Sequence, residues 1–186
     1  HILNRIHLQI SSLQNHRIKH LLSLQEKSRL RKKEVVFVVE GLREIQFAIK
    51  GNYEITEIYF CEDFLQVADL KELTEKTETT FTVTEITIEV YNKIAYRGST
   101  EGIIAVLKSK DHSLKNLNLN TKNLLILVAE APEKPGNIGA LLRTADAAGV
   151  DAFLIANPRT DLYNPNIIRS SVGCVFTANI AVGTTA

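Results

Sequence analysis

The pattern of apolar and polar positions predicts two successive segments in which strands alternate with helices. The first segment has predicted strands at 35–39, 55–60, 80–86 and 102–107, with helices at 2–28, 41–51, 63–76 and 87–95 and a turn at 97–100. This alternation predicts a small α/β unit with a mainly parallel sheet. The second segment has predicted strands at 124–128, 152–156 and 175–181, with helices at 137–148 and 165–171.

The most informative stretch runs from Leu124 to Gly149. Its first five residues are apolar, which predicts a strand buried on both faces of a parallel sheet. Two prolines and a glycine then turn the chain, and Asn137 is placed to cap a helix that Gly149 ends. Apolar positions recur at helical spacing along this helix, at Ile138, Leu141, Leu142, Ala145 and Ala148. Arg143 lies about 140° around the helix from Ile138, so we expect its guanidinium to face a cleft.

A polar segment without hydrophobic periodicity separates the two halves. It runs from Lys108 to Lys122 and predicts a linker. We therefore expect one domain over residues 1–110, a linker over 111–121 and a second domain over 122–186. Three strands and two helices are few for an independent α/β domain, and the sequence stops where a further helix would be due. The second domain is therefore predicted to be incomplete.

Charge is unevenly distributed along the chain, although the formal net charge is only +1. Residues 1–50 hold ten Lys and Arg against four Asp and Glu, residues 51–110 hold six against eleven, and residues 111–186 hold six of each. A basic leading segment points to a polyanionic partner, with a solvated helix rich in Lys and Arg as the open alternative. The cations expected to bind phosphates are Arg17, Lys19, Lys27, Arg29, Arg31, Lys32 and Lys33.

Composition is that of a soluble globular protein, with 45% hydrophobic and 23% charged residues. No apolar run is long enough for a membrane span, and no signal peptide opens the sequence. Cys61 and Cys174 lie far apart without metal-ligand spacing, which indicates reduced thiols, a cytoplasmic location and no metal site. Surface positions are expected for all five histidines, with phosphate contacts as a further role; they are His1, His7, His16, His20 and His112.

Two motifs carry a resemblance to a known family. The first begins at Pro135 and reads PGNIGALLRTA, and the second begins at Asn164 and reads NPNIIRSSVG. In this order they resemble motifs of the SpoU (TrmH-type) RNA 2′-O-ribose methyltransferases, which belong to the knotted SPOUT superfamily. The leading half resembles that family's substrate-binding domain through its basic helix, FVVEG at 37–41 and GIIA at 102–105. The family commonly has Gln where this chain has Glu101, a departure that leaves the expected fold unchanged.

The resemblance implies an α/β protein in which a small N-terminal α/β substrate-binding domain precedes an incomplete SPOUT-type α/β-knot domain with a parallel sheet. It also implies S-adenosylmethionine as cofactor, structured ribosomal or transfer RNA as substrate, and a homodimer. The family's glycine–glutamate and serine–leucine–asparagine motifs, which form the knot and hold the cofactor, do not occur before Ala186. We therefore expect the parent protein to methylate an RNA ribose, and this chain to lack most of the cofactor pocket and to be inactive.

The resemblance also assigns roles to individual residues. The family's arginine at the position of Arg143 is held to be catalytic, sometimes as a general base. Because a guanidinium stays protonated, with a pKa above ~12, we favour a grip on the target nucleotide's phosphate, with a surface ion pair to Asp146 as the alternative. Asn137 is expected to orient the ribose or Arg143, or only to cap the helix. For Arg169 and Ser171 we expect contact with RNA or cofactor, or else a salt bridge and a structural cap.

Two alternative functions stay open at this point. An RNA-binding module without catalytic activity would describe the chain even if the parent protein is an enzyme. A nucleotide-binding oxidoreductase is indicated by the glycine-containing strand–loop–helix, but residues 135–139 lack GxGxxG and no acidic residue follows the next strand at a suitable position.

Overall fold

The chain divides into two compact units, one over residues 1–109 and one over residues 110–186. The computed structural model describes residues 6–75, 77, 79–98, 101–119 and 122–185. The second half of the turn predicted at 97–100 and the start of the helix predicted from residue 2 therefore lie outside the described residues. Each unit has its own sheet and its own helices.

Among its described residues, the first unit contains a five-stranded sheet and five α-helices. Its elements are β1 (Ile6–Ile10), α1 (His16–Glu26), α2 (Ser28–Glu34), β2 (Val36–Glu40), α3 (Leu42–Lys50), β3 (Ile55–Phe60), α4 (Val67–Glu75), β4 (Thr82–Ile86), α5 (Ile88–Ile94) and β5 (Ile103–Lys108). The strand order is β1-β4-β3-β5-β2. The strands predicted near 35–39, 55–60, 80–86 and 102–107 are all present, with small shifts of their ends.

The prediction of a mainly parallel sheet was wrong for this unit. The strand β4 is parallel to β1 and β3, whereas β5 is antiparallel to β3 and β2. The chain therefore enters β5 from the edge at which β4 ended, and β5 runs in the opposite direction.

The helix predicted over 2–28 was also wrong at its amino end. Residues 6–10 form β1, which pairs in parallel with β4. The helix α1 begins only at His16, after Asn15 accepts a hydrogen bond from the Arg17 backbone N–H at 2.9 Å. Apolar residues at 6, 8 and 10 alternate with polar ones, which is the period of a strand. The N-cap Asn15 therefore marks the start of α1, after the strand β1 has ended.

The second unit contains the three-stranded parallel sheet that the sequence predicted. Its elements are β6 (Ile126–Glu130), α6 (Pro135–Ala147), β7 (Ala152–Ala156), α7 (Pro165–Ser171), α8 (Cys174–Thr177) and β8 (Ile180–Gly183). The strand order is β6-β7-β8. The strand predicted at 175–181 was partly wrong, because residues 174–177 form a short helix and the strand begins at Ile180.

The expectation that the apolar run at 124–128 is buried on both faces was wrong. The strand β6 lies at the edge of the sheet, and among the described residues it pairs only with β7. Leu125 and Val128 are 56% and 57% exposed. A continuous apolar run identifies a strand, but it does not by itself supply the neighbours that would cover it.

The polar segment predicted as a linker packs on the second unit in part. The His112 carbonyl accepts a hydrogen bond from the Val182 N–H at 2.7 Å, which attaches the segment to β8. The His112 ring lies between the Ile180 carbonyl, at 3.1 Å from Nδ1, and the Tyr163 hydroxyl, at 2.8 Å from Nε2. Burial, and then the nearby Lys110 charge, lower the pKa of His112. The expectation of a surface position for this histidine was therefore wrong.

Candidate functional site

The helix α6 begins two residues earlier than the sequence predicted. Lys134 is the N-cap and Pro135 occupies the first helical turn, where its fixed φ suits the helix. Asn137 is therefore inside the first turn, and its prediction as the N-cap was wrong. Its side chain is exposed and makes no hydrogen bond within the part of the chain that the structure describes. The carboxamide is thus open to a ligand.

Arg143 lies on the exposed side of α6, as its position relative to the apolar stripe predicted. The stripe is buried at Ile138, Leu142 and Ala145. No ion pair joins Arg143 to Asp146 or to any other described residue, so the guanidinium is not committed to a structural contact. By the helical repeat, Arg143 and Asn137 are separated by about 120° around α6 and ~9 Å along it. Their meeting at one ribose stays a prediction.

The carboxyl ends of the three strands carry a polar network that the sequence patterns did not reveal. The Asn157 side-chain N–H groups donate to Glu130 Oε1 at 2.8 Å and to Thr185 Oγ at 2.7 Å. The Asn157 side-chain oxygen Oδ1 accepts from the Thr185 backbone N–H at 3.2 Å. Glu130 follows the predicted strand, and this position was the available signal, since ligands of α/β sheets bind beyond the carboxyl ends of strands.

The helices α6 and α7 cross at Gly139. A Cβ atom added at Gly139 would lie 1.8 Å from Ser170 Oγ, 2.7 Å from Ser170 Cβ and 2.8 Å from the Ser170 carbonyl carbon. Ser170 Oγ donates to the Asn166 carbonyl at 2.6 Å, which keeps the hydroxyl on its own helix. The glycine in the first motif therefore permits close helix packing, and this contact holds the second motif against the first.

The two candidate residues of α7 occupy different environments. Arg169 is exposed and near the carboxyl end of the helix. Ser171 is fully buried, and its hydroxyl donates to the Ile168 carbonyl at 3.0 Å and accepts from the Val175 N–H at 3.3 Å. The Ser171 hydroxyl thus accepts from a backbone N–H of the first turn of α8, which is the structural capping role that was one of its two predicted roles. The predicted contact of Ser171 with RNA or cofactor stays a prediction.

The predicted phosphate-binding cations of the first unit also divide into two groups. Lys19, Arg29 and Lys32 are exposed on α1 and α2. Arg31 is only 4% exposed, and its Nη1 donates to the carbonyl oxygens of Leu24 and Gln25 at 2.7 and 3.1 Å. These are carbonyls of the last turn of α1, so the guanidinium caps that helix.

Arg17 is held within the first unit by an ion pair and a cation–π contact. Its Nη2 lies 3.0 Å from Glu57 Oε2, and its guanidinium carbon lies 5.2 Å from the centroid of the Tyr59 ring. The Tyr59 hydroxyl donates to the same carboxylate at 2.5 Å. Burial, and then this carboxylate, raise the pKa of Tyr59, so the phenol stays a hydrogen-bond donor. Arg17 and Arg31 therefore both have structural roles in the first unit. Their predicted contacts with RNA stay predictions.

Neither cysteine has the properties of a reactive or metal-binding thiol. Cys61 and Cys174 are both free, and burial raises the pKa of each. Across the described ranges there is no group of three or more His, Cys, Asp or Glu side chains that could hold a metal ion. No helix among those residues is long and apolar enough to cross a membrane.

Comparison with protein-family models matches each unit to a known domain family. Residues 15–105 match the MRM3-like substrate binding domain. Residues 124–186 match the SpoU rRNA Methylase family. The second match begins at the predicted apolar strand and contains both motifs.

Curated relatives and solved structures agree with these matches. The chain is 27% identical over 168 residues to the 23S rRNA (guanosine(2553)-2'-O)-methyltransferase RlmP of Bacillus subtilis, covering 90% of this chain and 62% of that protein. A crystal structure of an RNA 2'-O ribose methyltransferase superposes with a TM-score of 0.79 and 33% identity, over 96% of this chain and 66% of that one. The AdoMet-bound rRNA methyltransferase from Sinorhizobium meliloti shares the fold, with a TM-score of 0.82 and 22% identity over 96% of this chain and 65% of that one.

The chain thus spans just under two thirds of the length of these proteins. The mixed α/β fold and the parallel second sheet are those of SPOUT methyltransferases, as the motifs predicted. The relatives are ribosomal RNA 2′-O-methyltransferases, which supports RNA methylation as the activity of this group. The chain therefore belongs to the SpoU (TrmH-type) family of RNA methyltransferases.

Proposed function

We propose that the complete protein transfers a methyl group from S-adenosylmethionine to the 2′-hydroxyl of a ribose in ribosomal or transfer RNA. The observation that carries this proposal is the open Arg143 guanidinium on α6, inside the segment that matches the SpoU family. Asn137 is open on the same helix. S-adenosylmethionine would supply the methyl group on a sulfonium. Its use is supported by the AdoMet that the solved relative contains.

The residues of this chain would position the RNA. Methyl transfer to a ribose needs the hydroxyl aligned with the methyl group and relieved of its proton. Arg143 stays protonated, so it would bind a phosphate of the target nucleotide through two parallel N–H···O bonds and hold the ribose in place. Asn137 would donate to, or accept from, that ribose. The phosphate held by Arg143 is then the acceptor for the hydroxyl proton.

The first unit would supply most of the affinity for RNA. Lys19, Arg29 and Lys32 are exposed cations on α1 and α2, and such contacts bind phosphates without reading sequence. We further propose a homodimer in the cytoplasm, on the family resemblance.

Substitution of Arg143 tests the proposal directly. Transfer of tritium from labelled S-adenosylmethionine would be measured with ribosomal and transfer RNA from a strain that lacks the protein. We expect Arg143→Ala to lower kcat/KM at least ~100-fold, and Arg143→Lys to recover only part, because a lysine cannot bind a phosphate through two parallel bonds. The exposed Lys122 provides a control, and Lys122→Ala should retain full activity. An unchanged rate in Arg143→Ala would reject the role of the guanidinium.

A second function is possible for the 186 residues by themselves, namely RNA binding without methyl transfer. The exposure of Leu125 and Val128, at 56% and 57%, favours it, since an apolar strand of an active sheet is normally covered. Calorimetry of the 186 residues with S-adenosylmethionine separates the two. We expect RNA to bind and the cofactor to give no heat. A measurable heat with the cofactor would indicate a complete pocket and contradict this second function.

A further inference from the structure

Asn157 bridges the carboxyl ends of all three strands in the second unit. It follows β7 with a φ of 49°, a left-handed conformation that asparagine adopts more readily than most residues. Both hydrogens of its amide are used, one on Glu130 Oε1 at 2.8 Å and the other on Thr185 Oγ at 2.7 Å. A carboxamide has only two N–H donors, so the arrangement is fully specified. The amide of Asn157 therefore binds one oxygen of the Glu130 carboxylate and favours that orientation.

The backbone around Glu130 and Asn157 supports the same geometry. The N–H of Ala131 donates to the Ala156 carbonyl at 2.8 Å, and the N–H of Asn157 donates to the Gly183 carbonyl at 2.8 Å. The parallel ladder thus continues one residue past β6 and past β7. Ala131, like Asn157, has a positive φ, of 44°. The chain therefore turns sharply directly after Glu130, and the carboxylate lies at the carboxyl end of β6.

The second oxygen of Glu130 is available to a ligand. Within the part of the chain that the structure describes, the side chain makes one hydrogen bond, through Oε1, and it is exposed. A carboxylate has about four lone-pair sites, so Oε2 keeps its capacity to accept. Ligands of α/β sheets bind beyond the carboxyl ends of the strands. A fixed, acceptor-only group at this edge suits a hydroxyl donor.

We propose that Glu130 is a ligand-binding residue whose free oxygen accepts a hydrogen bond from a ribose hydroxyl, and that Asn157 is the residue that positions it. This inference rests on the proposed methyl transfer. A ribose can come from the adenosyl group of the cofactor or from the RNA, and both present the same hydroxyl chemistry. The competing explanation is that Asn157 and Glu130 only tie the strand ends together.

The test uses the complete protein and four variants. Glu130→Gln keeps an acceptor for Asn157 but replaces the free oxygen with a donor. Asn157→Gly removes the amide while it tolerates the left-handed φ, so that its effect does not come from backbone strain. Glu133→Gln is the matched control, because Glu133 is an exposed carboxylate of the following loop with no hydrogen bond among the described residues. Thr185→Val removes one partner of Asn157 and leaves Glu130 in place.

Binding of S-adenosylhomocysteine, and of its 2′-deoxy and 3′-deoxy adenosyl analogues, would be measured by calorimetry. KM for RNA and for S-adenosylmethionine would be measured in parallel, together with the melting temperature. We expect Glu130→Gln to weaken the binding of one ribose-bearing ligand about 10- to 100-fold, since a hydrogen bond to a charged group is lost. Asn157→Gly should weaken the binding of the same ligand by a smaller factor, and Glu133→Gln should change the affinity for neither ligand. If the adenosyl ribose is the partner, wild type should reject one deoxy analogue and Glu130→Gln should no longer distinguish it, since the two deletions remove one interaction.

The outcomes separate this inference from the proposed function. A raised KM for RNA alone assigns the hydroxyl to the RNA, and a raised KM for S-adenosylmethionine with lost discrimination assigns it to the cofactor. Equal binding and kinetics in Glu130→Gln and Glu133→Gln, or a change in melting temperature with no change in either affinity, would overturn the inference and leave methyl transfer intact. Binding of a ribose ligand that depends on Glu130 without any methyl transfer would overturn the proposed function alone. A wild-type protein that binds neither ligand would overturn both.

Discussion

Substitution of Gly139 by alanine should loosen the crossing of α6 and α7. The added Cβ would lie 1.8, 2.7 and 2.8 Å from Ser170 Oγ, Cβ and carbonyl carbon. The hydroxyl can rotate away, but it would lose its 2.6 Å bond to the Asn166 carbonyl. The other two atoms belong to the backbone or are fixed to it, so the helices themselves must move apart.

The magnitude follows from two opposing effects. Overpacking a close contact costs about 1–3 kcal/mol, and a contact with backbone lies at the upper end. Alanine gains about 1 kcal/mol over glycine in a helix interior. The net loss for Gly139→Ala is therefore about 2 kcal/mol. Gly136 provides the control on the same helix, since a Cβ there meets no atom within 4 Å.

Hydrogen exchange is the suitable assay, because it reports each unit separately. Peptides that cover α6 and α7 should exchange about 30-fold faster in Gly139→Ala, which corresponds to ~2 kcal/mol. Gly136→Ala should exchange no faster than wild type. The variant Ser170→Gly removes two of the three close contacts. In this background, Gly139→Ala should lower the stability of α6 and α7 by clearly less than it does in the wild type. Equal protection in Gly139→Ala and Gly136→Ala would refute the packing argument.

Three further predictions concern other parts of the chain. Arg31→Met keeps an unbranched apolar stem but removes the guanidinium that caps α1, so exchange in α1 should indicate a loss of about 1–3 kcal/mol. Burial lowers the pKa of His112, so the folded state binds fewer protons than the unfolded state. Stability measured by urea denaturation should therefore fall as the pH drops below ~6.5, and His112→Asn should reduce this fall. Replacement of Lys19, Arg29 and Lys32 by Gln should weaken RNA binding and lower the slope of log K against log salt by about 2–3.

Each of these predictions has a control that leaves the relevant contact intact. Lys33→Met removes an exposed cation from the same helix as Arg31 and should leave α1 unchanged. His16→Asn changes an exposed histidine and should not alter the dependence of stability on pH. Lys71→Gln removes an exposed lysine of α4 and should preserve RNA affinity. A variant that behaves like its control would contradict the role argued for that residue.

Local signals in the sequence predicted much of the second unit correctly. The strand β7 has the predicted bounds, and Asn164 caps α7, where its side chain accepts from the Asn166 N–H at 2.9 Å. Such caps and turns act over two or three residues, so the sequence alone contains them. At the start of α6 two local signals competed, and Pro135 prevailed over Asn137 because its φ is already helical.

The sequence by itself therefore determined the order of strands and helices from β2 to β7, the two motifs and the exposed face of Arg143, since all of these depend on neighbours within a turn or a strand. Only the tertiary structure decided that Arg31 caps α1, that Gly139 meets Ser170, and that Asn157 holds Glu130. The last two contacts join residues about thirty positions apart, through the crossing of helices and the register of strands. Hydrophobic periodicity identifies which face of each element is buried, but it does not specify which residue of another element that face will meet.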